Sequence, residues 1–171
     1  LNLQPGAADG IDTILVSLAQ QTWNFGGGIT LNIGESDASG FLSRTLLKFD
    51  LSTLPSSFSL ATLSLYSDTD RSSNARAFRV YRQLRAWLEG TRDGVSDNPA
   101  TGATWGRYDL TNNWATAGGF GATDCEQTDI GSRDFTTTET APEFKALPLT
   151  PTTKAGLDLG NGWLVKADTE L

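Results

Sequence analysis

The chain has 171 residues and a formal net charge of −7, enough sequence for one domain with a substantial core. It contains no histidine and one cysteine, which excludes serine–histidine triads, histidine zinc sites, thiolate clusters and intrachain disulfides. The acidic balance argues against a nucleic-acid partner, and no stretch approaches the roughly 20 apolar residues that insert into a membrane. We expect Cys125 to be a small buried residue rather than a reactive one.

Alternating apolar and polar residues predict strands in the first half of the chain. Residues 1–10 have the composition of a linker or approach segment. We predict strands over 11–18, 29–33, 43–51 and 61–67. In the last two, which a Pro-Ser turn joins, apolar residues recur with the period of two that a sheet with one buried face requires.

The longest periodic run covers residues 75–87. Phe78, Val80 and Leu84 form its apolar side, and Arg82 interrupts that side. Arg82 should therefore lie near a sheet edge or pair with a carboxylate. Residues 89–144 are rich in Gly, Asp, Asn and Thr, and predict short strands connected by elaborate loops.

The last part of the chain predicts one short helix between two strands. We place the strands at 145–149 and 163–166. Thr150 fits an N-cap, Pro151 the first helical position and Gly160 the position just beyond the end, which predicts a helix near 151–158. The whole pattern predicts a single all-β domain over 11–171 with long loops.

An ordered set of short motifs resembles the DNRLRE family of β-sandwich modules, which overlaps a family of carbohydrate-binding modules. The motifs are N-F-G-G-G at 24–28, L-x-I-G at 31–34, R-T-L-L-K-F-D-L-S-T-L-P at 44–55, A-T-L-S-L-Y at 61–66, V-Y-R at 80–82, W-L-E-G at 87–90, A-T-W at 103–105 and G-W-L-V-K at 162–166. The resemblance implies a jelly-roll-like β-sandwich of two antiparallel sheets. It also implies a module without catalytic residues, attached to a larger extracellular protein. Residues 112–124 look most like the versions found in phage and environmental viral proteins.

Two features suggest a piece of a longer chain. The sequence begins at Leu1 and contains no methionine. Members of the family also continue beyond the position of Leu171 into a final strand. We therefore expect that strand to come from the rest of the chain or from a partner, because an unpaired sheet edge would otherwise be exposed.

The polar side of the 75–87 run carries our candidate ligand contacts. Arg79, Tyr81, Gln83 and Arg85 alternate along it and would share an outward face. Guanidinium groups bind carboxylates and an aromatic ring stacks on a pyranose, so this face would suit an acidic sugar. The alternative is a solvated strand face with cross-strand ion pairs.

Acidic loops offer candidate calcium ligands, although no cofactor is required by the sequence. Asp93, Asp97 and Asn98 form the first set, and their spacing is not that of an EF-hand. Weaker sets are Asp68 with Asp70, and Asp124 with Glu126 and Asp129. The five tryptophans should lie mostly in the core, with Trp114 nearest the surface.

Three functions remain open on the sequence. The first is a non-catalytic surface module that binds acidic or neutral polysaccharide, or a cell-surface glycan, within a larger protein. The second is a structural decoration or fibre domain on a phage or virus particle. The third is a glycosidase that uses two carboxylates, which we rank last because nothing pairs two particular acids. The first two place the chain outside the cell or on a virion surface.

Overall fold

The computed structural model describes residues 10–35, 40–68, 75–137 and 141–170. Within these ranges the strands are β1 Gly10–Val16, β2 Trp23–Asn24, β3 Gly34–Glu35, β4 Leu42–Phe49, β5 Ala61–Ser67, β6 Arg76–Arg82, β7 Val95–Ser96, β8 Gly131–Phe135, β9 Glu143–Leu149 and β10 Trp163–Ala167. A 3₁₀ turn spans Leu18–Gln20, and a one-turn helix, α1, spans Lys154–Leu157. The predicted approach segment lies, except for Gly10, outside the described residues.

The strands form an antiparallel sandwich. The main sheet has the order β1-β4-β10-β6-β8-β9-β5, with β3 paired to β4, and β2 and β7 form a second, small sheet. The main sheet curls so that β5 and β9 pack over β4, β10 and β6. The predicted all-β sandwich with long loops and one short helix is therefore confirmed.

The first core lies between the two halves of the curled sheet. It contains Leu47 from β4, Leu63 from β5, Val80 from β6, Leu147 from β9 and Val165 from β10. The alternation seen in the sequence of β5 and β9 orients Leu63 and Leu147 inward. Burying each of the five side chains contributes roughly 1.5–3 kcal/mol to stability.

A second core lies on the opposite face of β1, β4, β10 and β6. Leu15, Leu46 and Leu164 point from the strands into it. The residues that cover them come from the long insertion between β6 and β8, and include Trp87, Ala103, Trp105, Trp114 and Cys125. Because both faces of these central strands are covered, all five residues of β10 are buried.

Several predicted elements differ from the structure. Residues 29–33 form no strand, and Ile29 is fully exposed; only Leu31 and Ile33 pack against the first core. β6 ends at Arg82, which leaves Leu84 exposed rather than buried. The helix begins three residues later than Pro151, and its N-cap is Thr153, whose hydroxyl accepts a hydrogen bond from the amide of Gly156 at 3.1 Å.

The carboxyl group of Asp12 on β1 provides a test of how partial burial and a neighbouring negative charge affect stability. Partial burial raises the pKa of its carboxyl, and the nearby charge of Glu89 raises it further. A raised carboxyl pKa means that the ionised form is disfavoured in the folded state. Asp12→Asn should therefore raise the free energy of unfolding at pH 7 by up to about 1 kcal/mol, discounted for the half-exposed site.

The gain from Asp12→Asn should shrink as the pH falls through the raised pKa and vanish below the ordinary value of 3.8. Urea unfolding between pH 3 and pH 8 measures this. Asp109→Asn is the control, because hydrogen bonds from Asn112 and Thr111 lower the pKa of Asp109 and no gain is expected. Equal stability of Asp12→Asn and the native chain at pH 7 would contradict the prediction.

Candidate functional site

The four residues predicted to contact a ligand do not share an outward face. Tyr81 is 7% exposed and Gln83 is fully buried, both on the side of the second core. The insertion after β6 covers this side of the strand. The periodicity of the strand sequence does not reveal that covering layer. The predicted open face is therefore wrong. A ligand contact of Arg79 or Arg85, which are partly exposed, stays a prediction.

The arginines on and after β6 instead pair with carboxylates of the segment that runs beside them. Arg79 lies 3.4 Å from Asp129, Arg82 lies 2.7 Å from Glu126, and Arg85 lies 2.9 Å from Asp124. The predicted pairing of Arg82 is thus confirmed, although β6 is an interior strand. These three ion pairs engage Asp124, Glu126 and Asp129, the acids that we considered as a weak calcium set.

Asp97 of the first calcium set has a structural role in the insertion. Its carboxylate is 2.6 Å from Arg107 and accepts hydrogen bonds from the amides of Thr101 and Gly102. Burial alone would raise the pKa of Asp97, but the hydrogen bonds from Thr101, Arg107 and Gly102 outweigh it and lower that pKa. Asp93 and Asn98, the other two members, are exposed.

The described ranges contain no group of three or more His, Cys, Asp or Glu side chains arranged to hold a metal. Asp70, from the other weak set, lies outside those ranges. A structural calcium ion stays a prediction.

Most of the aromatic residues that could stack on a sugar lie in the core. Trp87, Trp105, Trp114 and Trp163 are buried, as predicted for most tryptophans. The expectation that Trp114 lies nearest the surface is wrong, because its indole Nε1 donates to the carbonyl of Thr104 at 2.9 Å inside the second core.

The single cysteine, Cys125, is fully buried, and burial raises the pKa of its thiol to about 12.

Two large aromatic side chains are exposed side by side on β5 and β9. Tyr66 is 58% exposed and Phe144 is 69% exposed, and the two residues are direct partners across the strand pair. Their ring centroids are 5.2 Å apart in an edge-to-face arrangement at 67°. This geometry is favourable between aromatic rings and orients each against the other.

The strand period explains why these rings point outward. Leu63 on β5 and Leu147 on β9 occupy the positions of opposite parity and fill the first core. The outward positions form three cross-strand pairs, Tyr66 with Phe144, Ser64 with Ala146 and Thr62 with Pro148. All six side chains are exposed, and we call them the aromatic face.

The aromatic face was missed at the level of sequence. Tyr66 falls on the polar side of its strand, and Phe144 precedes an alternating run, so each could have been recognised as an outward aromatic residue. Their pairing joins positions 78 residues apart, and only the fold brings them together.

A concave feature lies where β1, β4 and α1 meet. This open cleft has a volume of about 560 Å³, and its charged lining residues are Lys48, Asp50, Lys154 and Asp158. The lining therefore carries two ammonium groups and two carboxylates, whose charges balance. The Asp158 carboxylate already accepts hydrogen bonds from the amides of Gly160 and Gly162, at 3.0 and 2.9 Å.

The sequence profile of Carbohydrate-binding module family 96 matches residues 8–117. The chain belongs to this carbohydrate-binding module family. The match covers more than half of the chain and includes β5 with Tyr66, whereas β9 with Phe144 lies beyond it. No curated protein and no solved structure matches the chain.

The family confirms the carbohydrate-binding part of the predicted resemblance. The likeness to DNRLRE modules and to viral versions stays a prediction. Among the described residues, no helix is both long and apolar enough to span a membrane.

Proposed function

We propose that this module binds polysaccharide or cell-surface glycan through the aromatic face, as a non-catalytic part of a larger extracellular protein. The observation that carries the proposal is the exposed pair of Tyr66 and Phe144 on a sheet face whose other side chains are small. Exposed aromatic residues are costly to leave in water, and a cluster of them commonly marks a binding surface. Membership of the carbohydrate-binding family supplies the class of ligand.

The chemistry of the face fits a sugar ring. A pyranose presents a patch of C–H groups that packs on an aromatic ring, and its hydroxyls need hydrogen-bond partners at the rim. The hydroxyls of Tyr66, Ser64 and Thr62 lie along one strand and can supply them. Because both aromatic residues are on paired strands of the sandwich, the face is held rigidly and loses little entropy on binding.

The proposal assigns no catalysis to this module. A carboxylate-pair hydrolase needs two acids that are free to act on a substrate. Asp124, Glu126 and Asp129 are engaged by arginines, and Asp97 by Arg107, which supports structural roles for these acids. A place on a phage or virus particle stays a prediction that no described contact favours.

Replacing the two aromatic residues tests the proposed site. For an insoluble glycan that the native module retains, we expect the double variant Tyr66→Ala/Phe144→Ala to bind at least about tenfold more weakly. A loss of this size is typical of the few interface residues that dominate binding. Depletion binding on a panel of insoluble polysaccharides measures this. Since both side chains are exposed, the melting temperature should change little.

Leu110→Ala is the control, because Leu110 is 49% exposed and lies in the insertion between β6 and β8 rather than on or next to β5 or β9. It should bind as the native module does. Full retention by the double variant would rule out the aromatic face as the binding site.

A further inference from the structure

The two edges of the main sheet differ in how they are covered. β1 forms one edge and β5 the other. On β1, the amide of Asp12 donates to the carboxylate of Glu89 at 2.9 Å, and the last four residues of the strand are buried. The insertion after β6 therefore supplies a partner to the β1 edge. β5 pairs with β9 on one side, and its residues Thr62, Ser64 and Tyr66 are exposed.

The register of β5 against β9 shows which backbone groups face the outer edge. Thr62 lies opposite Pro148, which has no N–H, so these two residues cannot exchange a pair of hydrogen bonds. Hydrogen-bonded and non-hydrogen-bonded pairs alternate along an antiparallel ladder, so Ser64 and Tyr66 are also in non-hydrogen-bonded pairs. The N–H and C=O groups of these three residues therefore point away from β9. No described residue forms a backbone hydrogen bond with them there.

The sequence of β5 contains none of the devices that protect an edge strand. Edge strands are commonly kept from pairing by lysine, by proline, by a bulge or by their short length. β5 is a regular strand of seven residues, A-T-L-S-L-Y-S, and its register with β9 has no bulge. Ala61 and Leu65 pack against the first core and are only partly buried. The β5 edge is therefore a template for another strand.

We infer that this edge pairs with the β5 edge of a second copy of the chain, antiparallel and about a two-fold axis at Ser64. In this register Ser64 lies opposite its own copy, and Thr62 lies opposite the partner's Tyr66. Every N–H and C=O group that faces the edge then gains a hydrogen-bond partner. β5 is self-complementary, because pairing it with itself brings no like charges together and places an aromatic ring beside a β-branched side chain.

The pairing would join two aromatic faces into one surface. Each end of that surface would carry a pair of Tyr66 and Phe144, with the small side chains between them. Two linked sites bind a repeating polymer more tightly than one site does. A two-fold interface uses both edges and closes at the dimer. The inference does not depend on the proposed function, since association is measured without a glycan.

Sedimentation velocity of the native chain over a series of concentrations tests the pairing. Physiological salt is used, because it screens the repulsion between two copies with a net charge of −7. We expect a reversible equilibrium between monomer and dimer, with no larger species. Ser64→Lys should weaken dimerisation at least about tenfold, because it places two ammonium groups opposite each other at the axis. Ala146→Lys is the matched control, since Ala146 is exposed beside Ser64 but lies on β9, one strand from the interface.

Crosslinking locates the contact without adding charge. Ser64→Cys should give a covalent dimer with a short bismaleimide, and Ala146→Cys should give much less. The native Cys125 does not compete, because it is fully buried. Equal crosslinking of the two cysteine variants would overturn the inference.

Three further outcomes are decisive. A native chain that stays monomeric from micromolar to millimolar concentration overturns the inference and leaves the β5 edge to a strand from elsewhere. A dimer that Ser64→Lys leaves intact would also overturn it. An intact dimer whose glycan binding survives Tyr66→Ala/Phe144→Ala would support the interface and overturn the proposed binding site alone.

Discussion

Replacing Glu170 with alanine is expected to lower the free energy of unfolding by about 3–5 kcal/mol, because it leaves buried cations without their counter-charge. The carboxylate of Glu170 lies 2.5 Å from Arg44 on β4 and 3.6 Å from Lys166 on β10. All three side chains are less than 10% exposed. Urea denaturation at neutral pH measures the loss.

The surroundings explain why this ion pair is worth more than one at the surface. The Arg44 guanidinium also donates to the carbonyl of Gly118 at 2.7 Å and lies 4.7 Å above the ring of Trp105. Burial lowers the pKa of Lys166, and the charge of Glu170 opposes that shift. Without Glu170, two cations would share a dry site between the sheet and the insertion.

The matched control is Glu126→Ala. Glu126 pairs with Arg82 at 2.7 Å, but both side chains keep more than a fifth of their surface in solvent. We expect a loss of no more than about 1 kcal/mol, since water screens the pair. Losses of similar size in both variants would contradict a special role for the buried group around Glu170.

Asn24→Ala should cost about 3–5 kcal/mol, because one buried side chain supports four backbone groups. Its Nδ2 donates to the carbonyls of Glu89 and Ala103 at 2.7 and 2.8 Å. Its Oδ1 accepts from the amides of Gly26 and Arg92 at 3.2 and 3.0 Å. The substitution would leave these groups unpaired around a side-chain position that is fully buried.

Thermal and urea unfolding of Asn24→Ala test this expectation. Asn112→Ala is the control, since Asn112 is exposed and its side chain bonds to Asp109 and Thr111 within its own loop. Asn24→Asp is a second probe. It keeps Oδ1 as an acceptor but removes both N–H donors of the side chain, so this variant should also be less stable than the native module. Stability within about 0.5 kcal/mol of native for Asn24→Ala would contradict the role we assign to this side chain.

The sequence alone determined the strands whose pattern follows from a single buried face. β5 and β9 alternate because one side packs on the first core and the other meets water, and the boundaries of β4 and β10 were also predicted closely. The family resemblance came from short motifs within and between these strands. The absence of histidine excluded the commonest catalytic arrangements without any reference to structure.

Only the tertiary structure decided which second layer covers each face of a strand. The outward parity of β6 reads as a solvated face, yet Tyr81 and Gln83 are buried because an insertion of low periodicity folds over them. Contacts such as Arg44 with Glu170, 126 residues apart, and Tyr66 with Phe144 leave no local pattern. Strand periodicity depends on neighbouring residues, whereas burial of a given face depends on long-range packing, and that is why the sequence predicted the sandwich but not the aromatic face.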